Sequence, residues 1–196
     1  MIKVPTAHGS ARVKLHPAPR ARHVLALGHG AGGGIGAGDL LAARDAALEL
    51  GITVALVEQP YRVAGRRAPA PAGQLDAAWL AVMSWLRGHL GSPALICGGR
   101  SSGARVACRT AAAAGAEAVV CLAFPLHPPG RLERTRLPEL DLVEVPTLVV
   151  QGERDPFGIP PGAARRSVVV VPGNHSLRST GRVRDAVSLW LGQLPR

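Results

Sequence analysis

The pentapeptide Gly99-Arg100-Ser101-Ser102-Gly103 sets a serine between two glycines. In the frame G-x-S-x-G, a sharp turn from a strand into a helix lifts the serine hydroxyl to the helix N-terminus. The glycines flank it because a side chain there would collide with the neighbouring strand or helix. Ser101 is therefore the candidate nucleophile. Ser102 is second choice, since its frame lacks the upstream glycine, and the plainer alternative is a glycine turn whose serine caps a helix. A serine hydroxyl is a poor nucleophile until a base removes its proton. Of the seven histidines, His175 in Pro172-Gly173-Asn174-His175-Ser176 is the one that follows the last expected strand. His8, His16, His23 and His89 read as surface or strand-edge residues. The base in turn needs a carboxylate to hold its tautomer. Asp155 in Gln151-Gly152-Glu153-Arg154-Asp155-Pro156 follows a strand and is preferred to its neighbour Glu153. Three correct residue types after three strand ends make a stronger signal than any single motif.

Acyl transfer also needs donors for a developing oxyanion. The run Gly28-His29-Gly30-Ala31-Gly32-Gly33-Gly34 follows a strand and resembles the His-Gly loops that present backbone N–H groups in lipases and esterases. One donor is assigned to the N–H of Ala31 or Gly32 and the other to that of Ser102. The glycine run could instead cradle a phosphate, but it lacks both the Gly-Lys-Ser/Thr ending of a P-loop and the spacing of a dinucleotide fingerprint. His29 reads first as a structural hydrogen-bonder, with substrate contact as its secondary reading.

These residues need strands to carry them. Candidate strands are Arg12–Leu15, His23–Leu27, Ile52–Val57, Ala94–Cys97, Ala118–Ala123, Thr147–Val150 and Ser167–Val171. Most are near-continuous apolar runs, as a sheet covered on both faces requires. Helices are expected over Asp39–Leu50, Leu75–Leu90, Gly103–Ala114 and Val183–Leu194. The stripe of Trp79, Leu80, Met83, Leu86 and Leu90 is core packing. Strands separated by helices imply right-handed crossovers and a mostly parallel α/β sheet with helices on both faces. Ligands bind such sheets at the carboxyl ends of the strands. The Pro-, Gly- and Arg-rich stretch Ala64–Gly73 is expected to be a mobile loop.

A chain of 196 residues fits one domain, taken as 1–196, with no room for a separate lid domain. No apolar run approaches the length of a membrane span, and the N-terminus lacks the apolar core of a secretory signal, so a cytoplasmic protein without membrane association is expected. Cys97, Cys108 and Cys121 are odd in number and unpatterned, which argues against a disulfide framework or a zinc site and for buried thiols. The formal net charge is +10, and all basic residues but Lys3 and Lys14 are arginines. They are scattered from Arg12 to Arg196, and three Trp, two Phe and one Tyr are too few for a base-stacking platform, so no nucleic-acid partner is expected.

The segments Leu27–Gly33, Gly99–Gly103, Phe124–Gly130, Pro146–Gly158 and Gly173–Ser176 together resemble a small α/β-hydrolase family described as dienelactone-hydrolase-like. The resemblance runs from about His23 to the C-terminus. It implies a minimal α/β-hydrolase fold without a lid domain, and the assignment of Ser101, Asp155 and His175 given above. Dienelactone hydrolases proper use a cysteine nucleophile, so with Ser101 in that place their substrate does not carry over. Distant eukaryotic relatives include a testis-expressed protein and a subunit of a chromatin-modifying complex, which implies that the fold can also serve as a non-catalytic interaction module.

The leading expectation is thus a serine hydrolase acting on an ester, thioester or amide of a small acyl compound, needing no metal or organic cofactor. The alternatives are a scaffold on the same fold, or a transferase or lyase using the same residues. His127, Arg131, Arg134 and Arg136 border the expected site and could attract an anionic substrate group. The sequence leaves the acyl group, the leaving group and the oligomeric state open.

Overall fold

Runs such as Val24–Leu27 and Leu148–Val150 are apolar at every position and have no face to give to water. They are stable as strands only with cover on both sides. The computed structural model, which describes residues 1–195, supplies that cover. In chain order the elements are β1 (Ile2–Thr6), β2 (Gly9–His16), β3 (His23–Gly28), α1 (Gly38–Glu49), β4 (Thr53–Glu58), α2 (Pro60–Val63), α3 (Ala72–Leu90), β5 (Ala94–Arg100), α4 (Ser102–Ala114), β6 (Ala116–Leu122), α5 (Leu137–Asp141), β7 (Thr147–Gly152), β8 (Arg166–Val171) and α6 (Thr180–Leu191).

The eight strands form one sheet in the order β1-β2-β4-β3-β5-β6-β7-β8. β1 pairs antiparallel with β2, and β2 with β4; every other pairing is parallel. Alternate side chains of each strand point to opposite faces. Val24, Ala26, Cys97 and Val119 meet Trp79, Met83 and Leu86 of α3 and Val106 of α4. Leu25, Leu27, Ile96 and Val120 meet Leu40 and Ala43 of α1 and Val183 and Val187 of α6. The expected α/β architecture, mostly parallel and covered on both faces, is the one observed. Among the described residues the stretch between β6 and β7 carries only the five-residue helix α5, so no lid domain stands over the sheet.

Several boundaries differ from those expected, and each has a local cause. β5 continues through Gly98 and Gly99 to Arg100, because neighbouring backbone closes on both glycines. β1 was not expected; of its five residues only Val4 is buried, as befits an edge strand that also tolerates Pro5. The short helices α2 and α5 were also missed, and each carries proline in its first turn. In the stretch expected to be a loop, α3 takes Ala72 and Gly73, which leaves Ala64–Pro71 as the connection. α6 starts three residues earlier than expected and ends at Leu191. The three cysteines are free and buried, and burial pushes the Cys97 thiol up to about 12. Among the described residues no helix is long and apolar enough to cross a membrane.

Candidate active site

Ser101 stands between the end of β5 and the start of α4 with φ 52° and ψ −108°. A non-glycine residue adopts such a backbone only where its surroundings hold it there. Two contacts hold it: its N–H donates to the Leu122 carbonyl at the end of β6 (2.9 Å), and its carbonyl accepts the first helical bond from Arg105 (3.2 Å). The turn leaves the side chain at the carboxyl edge of the sheet, half-buried, beside the loop that follows β3.

β7 and β8 bring the other two side chains to the same edge. Asp155 follows β7 and His175 follows β8. His175 Nδ1 lies 2.8 Å from Asp155 Oδ2, and His175 Nε2 lies 2.9 Å from Ser101 Oγ. With Nδ1–H donating to the carboxylate, Nε2 carries the lone pair that faces the serine hydroxyl. The Asp155 side chain is fully buried and that of His175 is 17% exposed. Two further donors fix the carboxylate: the Phe157 N–H donates to Oδ1 (2.9 Å) and Gln151 Nε2 to Oδ2 (2.8 Å). Phe157 also meets the His175 ring edge-on, with centroids 4.5 Å apart. Glu153, the rival acid, is exposed and lies against Arg154.

The glycine-rich loop after β3 is fixed by its carbonyls. The Gly30 carbonyl accepts from His29 Nδ1 (2.8 Å) and from the Gly33 N–H (3.2 Å). Because the peptide is trans and planar, the Ala31 N–H of the same unit points the opposite way. The Ala31 carbonyl accepts from the Tyr61 hydroxyl at 3.0 Å, which fixes the next unit and with it the Gly32 N–H. Gly30 is the loop residue next to Ser101: a Cβ built on it would lie 3.5 Å from Ser101 Cβ.

The secondary candidates fall elsewhere. His29 is buried, and both ring nitrogens are engaged: Nδ1–H donates to the Gly30 carbonyl, and Nε2 accepts from the Gln59 N–H at 3.1 Å. Burial lowers its pKa from the ordinary 6.5. The folded state therefore disfavours the proton, and the stability this gives is complete above 6.5 and is lost as the pH falls below it. Protonation at Nε2 would also set two donors against each other. The difference in urea midpoint between about pH 7.5 and about pH 5 should accordingly be smaller in His29→Gln than in wild type. An equal difference in both would show that His29 carries no protonation penalty. His127 binds the Arg134 carbonyl through Nδ1 (2.7 Å), and Arg136 donates to the Pro125 (3.2 Å) and His127 (3.4 Å) carbonyls. Arg131 and Arg134 are exposed on the same loop. Among the described residues no group of three or more His, Cys, Asp or Glu is gathered as for a metal ion.

Sequence reasoning missed Gln151, Tyr61, Phe157, Arg100 and Asp39. Gln151 had a signal, being the one polar side chain inside the apolar strand β7 after Thr147. The others bind main-chain groups or partners distant in sequence, and nothing in their own segments announced it.

The sequence pattern of the alpha/beta hydrolase domain matches residues 21–183. No curated protein matches the chain in sequence. Among solved structures, the chain is similar to an alpha-beta serine hydrolase homologue from Coxiella burnetii (TM-score 0.80, 16% identity, covering 97% of this chain and 96% of that one). It is also similar to an a/b serine hydrolase without lid from Xanthomonas campestris (TM-score 0.76, 24% identity, 99% and 95% covered). A dienelactone hydrolase from Anabaena variabilis is similar as well (TM-score 0.79, 18% identity, 100% and 97% covered). At these identities the likenesses establish the fold.

Proposed function

This chain belongs to the alpha/beta hydrolase domain family, and from that premise we propose that it is a single-domain serine hydrolase that cleaves an ester, thioester or amide of a small acyl compound. The observation that carries this reading is the hydrogen-bonded row Ser101–His175–Asp155, with the serine held in a strained turn. His175 Nε2 takes the hydroxyl proton as Ser101 Oγ attacks the acyl carbonyl. Asp155 keeps the imidazole in the required tautomer and stabilises the imidazolium. The Ala31 and Ser102 N–H groups receive the negative oxygen; the orientation of the Gly30–Ala31 peptide and the place of Ser102 at the start of α4 support this choice over Gly32. Collapse of the tetrahedral intermediate expels the leaving group with the proton from His175. Water activated by the same histidine then hydrolyses the acyl-enzyme. His29 supports the loop rather than touching substrate.

The test is covalent labelling with a fluorescent fluorophosphonate, which reports an activated serine without knowledge of the substrate. Wild type should label and Ser101→Ala should not. Labelling that survives in the variant would move the nucleophile to Ser102. A folded wild type that does not label would remove the enzyme reading in favour of a non-catalytic scaffold on this fold.

A further inference from the structure

Arg100 occupies the variable place before the serine, and its side chain turns back over the site. Its Nε lies 2.8 Å from Asp39 Oδ2, and its Nη2 donates to the main-chain carbonyl of His175 at 3.0 Å. Its Nη1 lies against Gly30, 2.9 Å from where a Cβ on that glycine would stand. Asp39 belongs to the first turn of α1, and its carboxylate is almost wholly buried. Burial pushes this carboxyl up, and the Arg100 guanidinium opposes that shift. From the turn that holds Ser101, one guanidinium thus touches three other segments: the loop holding His175, the glycine-rich loop, and the start of α1.

We infer that Arg100, anchored by Asp39, is a positioning residue that fixes the backbone of His175 relative to Ser101 and the Ala31 N–H. The role rests on the serine-hydrolase reading above. His175 sits in a loop whose flanking residues Asn174 and Ser176 are exposed. Its ring is tied to Asp155 and Ser101, but those bonds hold the ring and not the backbone that carries it. The Arg100 bond to its carbonyl supplies the second constraint. A planar fork can hold a carboxylate and a carbonyl in different directions at once, which an ammonium on a flexible stem does less well. Asp39 fixes the fork and balances its charge inside the protein. A Cβ on Gly30 would push the fork aside, so the fork lies directly against the glycine-rich loop and links the base to the proposed oxyanion donor.

The experiment compares wild type, Arg100→Met, Arg100→Lys and the charge-neutral double variant Asp39→Asn/Arg100→Gln. Fluorophosphonate labelling rate, kcat and KM on a short acyl ester, and folded content by circular dichroism are measured for each, with Ser101→Ala beside them. Misplacing a reacting group by about an ångström can cost about 100-fold, so Arg100→Met should lose about 10- to 100-fold in kcat and labelling rate with KM little changed. Arg100→Lys should recover part of the loss. The double variant carries no unpaired buried charge and should show the same kcat loss while remaining folded, which keeps the test valid if Arg100→Met does not fold. A kcat within twofold of wild type in a folded Arg100→Met or double variant, with Ser101→Ala inactive, would overturn the role of Arg100 and leave the hydrolase reading intact. Labelling that persists in Ser101→Ala would instead take the nucleophile away from Ser101, and this inference would fall with that assignment.

Discussion

Ser101→Ala and His175→Ala are each expected to lower kcat by about a million-fold, and the double variant by no more than either alone. The reason is the hydrogen bond between Oγ and Nε2. In the proposed mechanism the hydroxyl attacks as the imidazole takes its proton, so either group alone has nothing to act with. Asp155→Asn should cost less, about ten-thousand-fold, and for a different reason. The Asp155 side chain is fully buried and accepts from Gln151 and Phe157 as well as from His175. An asparagine fills the same space, and its oxygen in the Oδ1 place can keep the Phe157 bond, while the Gln151 bond to Oδ2 is lost. Its NH2 then faces Nδ1, which must become the acceptor, and the ring proton moves to Nε2 opposite the serine. The base is present in the wrong tautomer. Steady-state kinetics on a short acyl ester, with circular dichroism to verify folding, measure these four variants and Glu153→Gln. A double variant slowed by the product of the two single losses would mean that Ser101 and His175 act independently. An Asp155→Asn within tenfold of wild type, with Glu153→Gln strongly impaired, would transfer the acid to Glu153.

The parts of this architecture that could be read from sequence are those where burial leaves one kind of side chain. β3, β4, β6 and β7 are covered on both faces, so apolar runs mark them. β1 is an edge strand of Ile-Lys-Val-Pro-Thr with one buried residue, and no such run exists to mark it. The strand expected to end at Cys97 takes in Gly98 and Gly99 as well, because what decides there is the approach of other backbone rather than propensity. In the site, Ser101, Asp155 and His175 were legible because a parallel sheet gathers whatever follows its strand ends, and the structure brings those three into hydrogen-bonding distance. The residues around them were not. Arg100 binds a carbonyl 75 positions away, and main-chain carbonyls carry no sequence signal. Tyr61 holds the Ala31 carbonyl from a helix of four residues that gave no periodicity to detect.

Gly103→Ala is expected to destabilise the protein by about 3–5 kcal/mol, near the upper end for a single substitution. The added methyl would run into the Gly28 carbonyl, with its carbon 2.6 Å away and the His29 oxygen 2.8 Å away. All of these are backbone atoms at the end of β3, where no rotamer change gives relief. A Cβ on Gly99 would be in the same position, 2.6 Å from the Gly28 oxygen and 2.7 Å from the Gly103 carbonyl carbon. β3, the turn at Ser101 and α4 are therefore packed main chain against main chain, and a methyl at Gly103 must push α4 off the sheet. For a chain of this size about 1 kcal/mol corresponds to 2–4 °C, so the melting temperature should fall by roughly 6–20 °C. Gly88→Ala is the control: it lies within α3, nothing stands within 4 Å of its Cβ position, and removing a helical glycine should stabilise by about 0.5–1 kcal/mol. The same displacement should slow the chemistry, because Ser102, the proposed oxyanion donor, moves with the helix. The contact that leaves no room for a side chain at Gly103 thereby also sets where the serine and its proposed donor stand. Melting of Gly103→Ala within 2 °C of wild type would show that α4 can shift freely over β3, and that the serine turn is held by its own hydrogen bonds instead.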